Sequence, residues 1–155
     1  MVFSMRTRVK ICCIASLDEA RVALDAGADA LGLVAAMPSG PGAIPDAVIR
    51  AIAAAVPPPV ATFLLTSETT ADAIAAHIQA TRPSTVQIVS HITPAESRKL
   101  AEREPHIRRV QVVHVEGPEA LDLIPAYAPP CRCVPARFRQ AGRADRGTGR
   151  HRPRA

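Results

Sequence analysis

Short apolar runs alternate with amphipathic stretches along the first 130 residues of this 155-residue chain. The run RVKICCI at residues 8–14 is rich in β-branched positions, as strands are, and leads into Ser16-Leu17-Asp18-Glu19, where Ser and Glu stand three apart as in a capping box. A strand feeding a helix is predicted. Leu17, Ala20 and Leu24 form the apolar face of that helix, and Gly27 supplies its left-handed end. Residues 30–36 predict a second strand. A loop with Pro38, Gly40, Pro41 and Gly42 delivers a second helix with Pro45 in its first turn, running through Ile49 and Ile52 towards Val56. Strands are predicted again at residues 60–65, 85–89 and 109–115, and a third helix at 70–80. Thr93-Pro94-Ala95-Glu96, a second capping box with Pro at the first helical position, opens a fourth helix to about Arg103. Residues 119–126 give a weaker fifth.

The five strands begin near residues 8, 30, 60, 85 and 109, so each gap is long enough for one crossover helix. This is a succession of βα units on a parallel sheet. Runs such as ICCI and ALGLV are apolar at nearly every position, as strands covered on both faces are. An open doubly wound sheet and a (β/α)8 barrel both satisfy the pattern. No G-x-G-x-x-G follows the first strand, which removes support for a dinucleotide-binding sheet.

Composition changes this picture in two places. With one Tyr, three Phe and no Trp, the core must be aliphatic, and base-stacking surfaces of nucleic-acid binders are disfavoured. The formal charge of +5 comes from residues 131–155, which hold eight Arg against one Asp; residues 1–130 are mildly acidic. That terminal segment has no apolar period and is biased to Arg, Ala, Gly and Pro, so it reads as a disordered basic tail instead of a sixth βα unit. The expected organisation is an extension at 1–7, a partial barrel domain at 8–130 and the tail at 131–155. The Arg residues could neutralise phosphates, which makes a nucleic-acid or acidic-surface binder the rival, non-enzymatic reading. It lacks both stacking aromatics and a reading helix.

No apolar run of signal-peptide length follows residues 1–10, and the stretch 51–65 is broken by Pro57, Pro58 and Pro59, so a cytoplasmic protein without a membrane span is expected. Cys12 and Cys13 are adjacent, while Cys131 and Cys133 are one residue apart. Neither pair has C-x-x-C spacing, which argues against a metal site or disulfide framework.

In a parallel sheet of this kind, chemistry gathers at the carboxyl ends of strands. Cys12 stands there, although cysteine often serves only as a small buried hydrophobe. Lys10-Ile11-Cys12, followed by Ala26-Gly27-Ala28-Asp29-Ala30-Leu31-Gly32-Leu33-Val34, resembles the amino-terminal end of the phosphoribosylanthranilate isomerase family, whose first strand reads K-I-C-G. Val86-Gln87-Ile88 is similar to the V-Q-L-H-G of that family's fourth strand, and the resemblance runs over residues 8–128. It implies a truncated TIM barrel of about five βα units and an Amadori rearrangement of phosphoribosylanthranilate in tryptophan biosynthesis. Cys12 is then the general base, as a thiolate. Gln87 and Ser39 are substrate-contact candidates, the substrate is a small phosphorylated sugar-anthranilate molecule, and no cofactor is implied. Another barrel sugar-phosphate isomerase or epimerase, with a different acid, is the alternative enzyme.

The departures from the family pattern are equally specific. Cys13 replaces the Gly of K-I-C-G, with a buried structural role expected for it. The loop Ser39-Gly40-Pro41-Gly42 lacks the Arg that the family's S-x-R uses on the anthranilate carboxylate, and Val89 replaces the His of the strand-four motif. His91 and His114 could face the same mouth, though each reads more simply as a solvated or core histidine. The family's general acid, an Asp in an L-L-D-[ST] strand, and its G-G-T-G phosphate loop do not appear in order; Asp145 and Gly147-Thr148-Gly149 lie in the tail without strand or helix patterns around them.

Residues 132–139 can be encoded as CGA TGC GTT CCT GCT CGA TTC CGG, and a one-base shift of that string reads Asp-Ala-Phe-Leu-Leu-Asp-Ser, the expected strand-six motif. A frameshifted isomerase gene is therefore expected. Its product would lack the acid, be impaired, and expose strands one and five as open edges for self-association.

Overall fold

The computed structural model describes residues 6–38, 40–127 and 132–136, the last stretch as backbone only. In chain order the elements are β1 (Lys10–Ile11), α1 (Leu17–Asp25), β2 (Ala30–Val34), α2 (Asp46–Ala55), β3 (Ala61–Thr66) and α3 (Ala71–Thr81). They continue with β4 (Thr85–Ile88), α4 (Pro94–Arg103), β5 (Arg108–His114), a 3-10 segment Pro118–Leu123 running into α5 (Ile124–Tyr127), and β6 (Arg132–Ala136).

All six strands pair in parallel and in sequence order, β1-β2-β3-β4-β5-β6. That order decides between the two architectures. A doubly wound sheet reverses its strand order at a switch point, whereas a barrel adds each strand beside the last. The sheet is a partial (β/α)8 barrel.

The sixth strand corrects one expectation. The chain was expected to stop pairing after residue 130, yet Arg132 to Ala136 pair with Val110 to His114. Pairing satisfies the main-chain donors and acceptors of β5, which an aliphatic side-chain pattern on the incoming strand does not control. Pro135 lacks an N–H, which an edge strand tolerates.

Local signals explain the element ends. Ser16 accepts from the Glu19 N–H at 3.1 Å, and the Glu19 carboxylate accepts from the Ala15 N–H at 2.7 Å, so one helix-end donor of α1 and the N–H just before its N-cap are satisfied. Gly27, at φ +83, closes a Schellman turn in which the Ala28 N–H donates to Ala23 and the Gly27 N–H to Leu24. The buried residues of α1 are Ala20 and Ala23; Leu17 is 48% exposed, so the predicted apolar face is rotated towards the small residues, which let the helix lie close to the sheet. Pro45 is the N-cap of α2 and not its first helical residue. Between sheet and helices lies an aliphatic core with Leu31, Leu33, Ile49, Ile52, Leu64, Ile74, Val86, Ile88 and Leu100 fully buried. Each such side chain contributes roughly 1.5–3 kcal/mol by leaving water. Among the described residues, no helix is long and apolar enough to cross a membrane.

Candidate active site at the inner face of the sheet

Leu31 and Leu33 of β2 pack under the helices, so by strand alternation Gly32 faces the opposite, inner side of the sheet. Cys12 faces it there. A Cβ placed on Gly32 would lie 2.4 Å from Cys12 Sγ, so only glycine leaves the thiol its position. Cys12 follows directly on β1 at its carboxyl end, and it is exposed instead of being a core hydrophobe.

Lys10, two residues earlier, shares that inner face. Its ammonium crosses above the Phe63 ring, 4.6 Å from the ring centroid, and donates to Gln87 Oε1 at 2.6 Å. Gln87 sits on β4 between Val86 and Ile88, which point into the helix-side core. The structure therefore gathers Lys10, Cys12 and Gln87 on one surface. Lys10 was not singled out from the sequence as a site residue; the signal for it was its i, i+2 spacing from Cys12 on a strand.

Cys13 departs from expectation. It is exposed, not buried, and its φ is +62, the left-handed region that glycine occupies without strain. The residue thus keeps the backbone conformation of a glycine. Its thiol lies 3.8 Å from the Pro41 carbonyl in the loop after β2, and local desolvation together with the neighbouring Cys12 thiol pushes its pKa up, while Lys10 opposes the rise.

The two candidate histidines serve the rim. His114 Nε2 donates to the Val89 carbonyl at 3.0 Å, and His91 lies edge-on to Tyr127, whose hydroxyl is 3.1 Å from His91 Nδ1 and donates to the Ile92 carbonyl. Ser90 donates to the Ser67 carbonyl at 2.8 Å, tying together the loops after β3 and β4. Ser39, Asp145 and Gly147-Thr148-Gly149 lie outside the described residues.

Behind the sheet runs a line of Thr66, His77 and Asp46 that no sequence spacing announces. Thr66 Oγ1 is 3.0 Å from His77 Nδ1, and His77 Nε2 is 3.0 Å from Asp46 Oδ1. These are nucleophile-relay residue types, but Thr66 is fully buried at the helix side and accepts the Glu68 N–H, so the line works as a clamp between β3, α3 and α2.

No family model matches the chain. Individual proteins do. The N-(5'-phosphoribosyl)anthranilate isomerase of Natronomonas pharaonis is 37% identical over 89 residues, covering 57% of this chain and 43% of that protein. The crystal structure of phosphoribosyl anthranilate isomerase from Thermotoga maritima superposes with a TM-score of 0.75 at 25% identity, over 86% of this chain and 62% of that one. A second structure of such an enzyme, in complex with reduced 1-(o-carboxyphenylamino)-1-deoxyribulose 5-phosphate, gives the same TM-score over 86% and 66%. The chain spans about half the length of the curated relatives it matches. Sequence and sheet order lead to the same relatives, and over the part of their length that it spans the chain is similar to phosphoribosylanthranilate isomerases.

Proposed function

We propose that this chain carries the base-bearing part of a phosphoribosylanthranilate isomerase site, acting in the cytoplasm on the tryptophan pathway, with impaired turnover in the present reading frame. The observation that carries this reading is the exposed Cys12 thiol at the carboxyl end of β1, held on the inner sheet face in the space left by Gly32. In the rearrangement, an acid protonates the furanose ring oxygen and the ring opens to an iminium. A base then removes the proton from the adjacent sugar carbon, and the resulting enamine tautomerises to the ketone. Cys12 has the position for the second step. Gln87, its Oε1 engaged by Lys10, has its amide N–H groups to offer a substrate oxygen. The ligand of the related complex, a phosphorylated carboxyphenylamino sugar, supports the substrate class.

The acid is the component this chain lacks, because the family's strand-six Leu-Leu-Asp motif does not occur in the frame as read. β6 occupies residues 132–136, within the stretch that a one-base shift of suitable codons would read as Asp-Ala-Phe-Leu-Leu-Asp-Ser. The open edges of the partial barrel would also favour self-association.

The coding DNA and one assay test the proposal. A single-base shift near the codons for Pro129 to Cys131 should restore the Leu-Leu-Asp motif. The frame-restored protein should convert phosphoribosylanthranilate, with Cys12→Ala reducing kcat by about 100-fold or more, while the present chain turns over weakly or not at all. If no shift restores the motif, the frameshift is wrong; if the restored protein is inactive or indifferent to Cys12→Ala, the isomerase reading is wrong.

A further inference from the structure

A primary amide carries an oxygen at one end and an NH2 group of nearly the same shape at the other, so its hydrogen-bond partners decide which way round it stands. Gln87 has a partner that settles the matter. The Lys10 ammonium, which can only donate, lies 2.6 Å from Oε1, so the oxygen is turned towards the cation and the NH2 group is turned away from it. The cation is itself steadied from a third strand. Its Nζ lies 4.6 Å from the ring centroid of Phe63 on β3, and Phe63 stands in register with Thr85, two residues before Gln87 on β4. Gln87 is half-buried, and among the described residues no hydrogen-bond partner meets its Nε2. One end of the amide is thus fixed by a charge, and the other is a donor left for whatever occupies the inner face.

We propose that Lys10 is a positioning residue for ligand binding: it holds the Gln87 amide with its N–H groups towards the ligand, so that this point of the site takes an acceptor oxygen and rejects a donor. The bond to a cation also polarises the amide, which strengthens its N–H groups as donors. With a neutral apolar side chain at position 10, the amide stands either way round at similar cost, and the reversed orientation sets Oε1 against the ligand oxygen. Lys10 then acts through Gln87 and not by touching the ligand. The inference rests on the isomerase reading for the identity of that ligand, a phosphorylated carboxyphenylamino sugar.

The test measures binding of reduced 1-(o-carboxyphenylamino)-1-deoxyribulose 5-phosphate to the full chain by calorimetry, for the parent, Lys10→Met, Gln87→Ala and the double variant, with the folds compared by circular dichroism. Lys10→Met and Gln87→Ala should each weaken binding by about tenfold, and the double variant should bind no more weakly than either, because both remove the same donor. Lys10→Arg, which still donates to Oε1, should bind within about threefold of the parent. Should Lys10→Met fail to fold, Lys10→Gln carries the same comparison, since its neutral amide can meet either end of Gln87. A parent chain that does not bind the compound overturns the isomerase reading and this inference with it. If the parent binds, three results overturn the positioning role alone: no loss in Lys10→Met, a loss that persists in the Gln87→Ala background, or a loss in Lys10→Arg as large as in Lys10→Met.

Discussion

The Lys10 ammonium lies 2.6 Å from Gln87 Oε1 and joins the first strand to the fourth across the inner face of the sheet. Lys10→Met should remove this link. Because Lys10 is exposed, the loss in stability should be no more than about 1 kcal/mol, measured by urea unfolding. Lys10 also holds the Cys13 thiol pKa below where desolvation and Cys12 would otherwise put it, so the same substitution should raise that pKa further. The pH dependence of Cys13 alkylation, followed by peptide mass, should shift to higher pH; an unchanged profile would show that Lys10 exerts no field at the thiol pair.

Asp29 binds the chain before β1 to the start of β2. Its carboxylate accepts from Arg6, from the Val9 N–H at 2.9 Å and from Arg8 at 2.9 Å, and these contacts hold its pKa well below the usual carboxylate range. A depressed folded-state pKa means stability that is complete above the unfolded value, about 3.9, and lost as pH falls from there towards the folded value. Thermal midpoints between pH 5 and 2 should fall less steeply for Asp29→Asn than for the parent, because the variant has no proton to take up. Parallel acid profiles would contradict this.

Thr66→Val keeps the shape of a fully buried side chain but leaves His77 Nδ1 and the Glu68 N–H without the hydroxyl. The expected loss is about 1–3 kcal/mol. A double-mutant cycle with His77→Ala should show coupling of at least about 0.5 kcal/mol; additive effects would mean that the clamp is not one unit.

Ile74 of α3 is fully buried in the aliphatic core, whereas Val22 of α1 is 69% exposed. Ile74→Ala should destabilise by about 2–5 kcal/mol, and Val22→Ala should stay within about 0.5 kcal/mol. Chemical denaturation of the two variants side by side checks the assignment of inside and outside.

The alternation of strands and helices was legible because its signals are local. Thr93 does accept from the Glu96 N–H at 3.2 Å, as the capping box required. The carboxylate of Glu96, however, does not return to its own helix; it accepts from the Ala71 N–H of α3 at 2.5 Å. A helix end satisfied by a neighbouring element leaves no mark at fixed spacing. The placement of Cys12 and Gln87 at the sheet's inner face was legible from motif and strand position, while that of Lys10 was not, because a lysine on a strand ordinarily faces water. The glycine-like backbone of Cys13 was unreadable from a cysteine, and β6 was hidden because side-chain composition says little about which main chain completes an edge.

The chain has no Trp and a single Tyr, and that Tyr127 is buried where α5 meets the loop after β4. Nearly all intrinsic fluorescence must therefore originate from one ring hydrogen-bonded to one carbonyl. The protein carries its own optical probe of that junction, and excitation beyond the tyrosine band meets no native fluorophore. A fluorescent ligand excited there could be followed against a dark background.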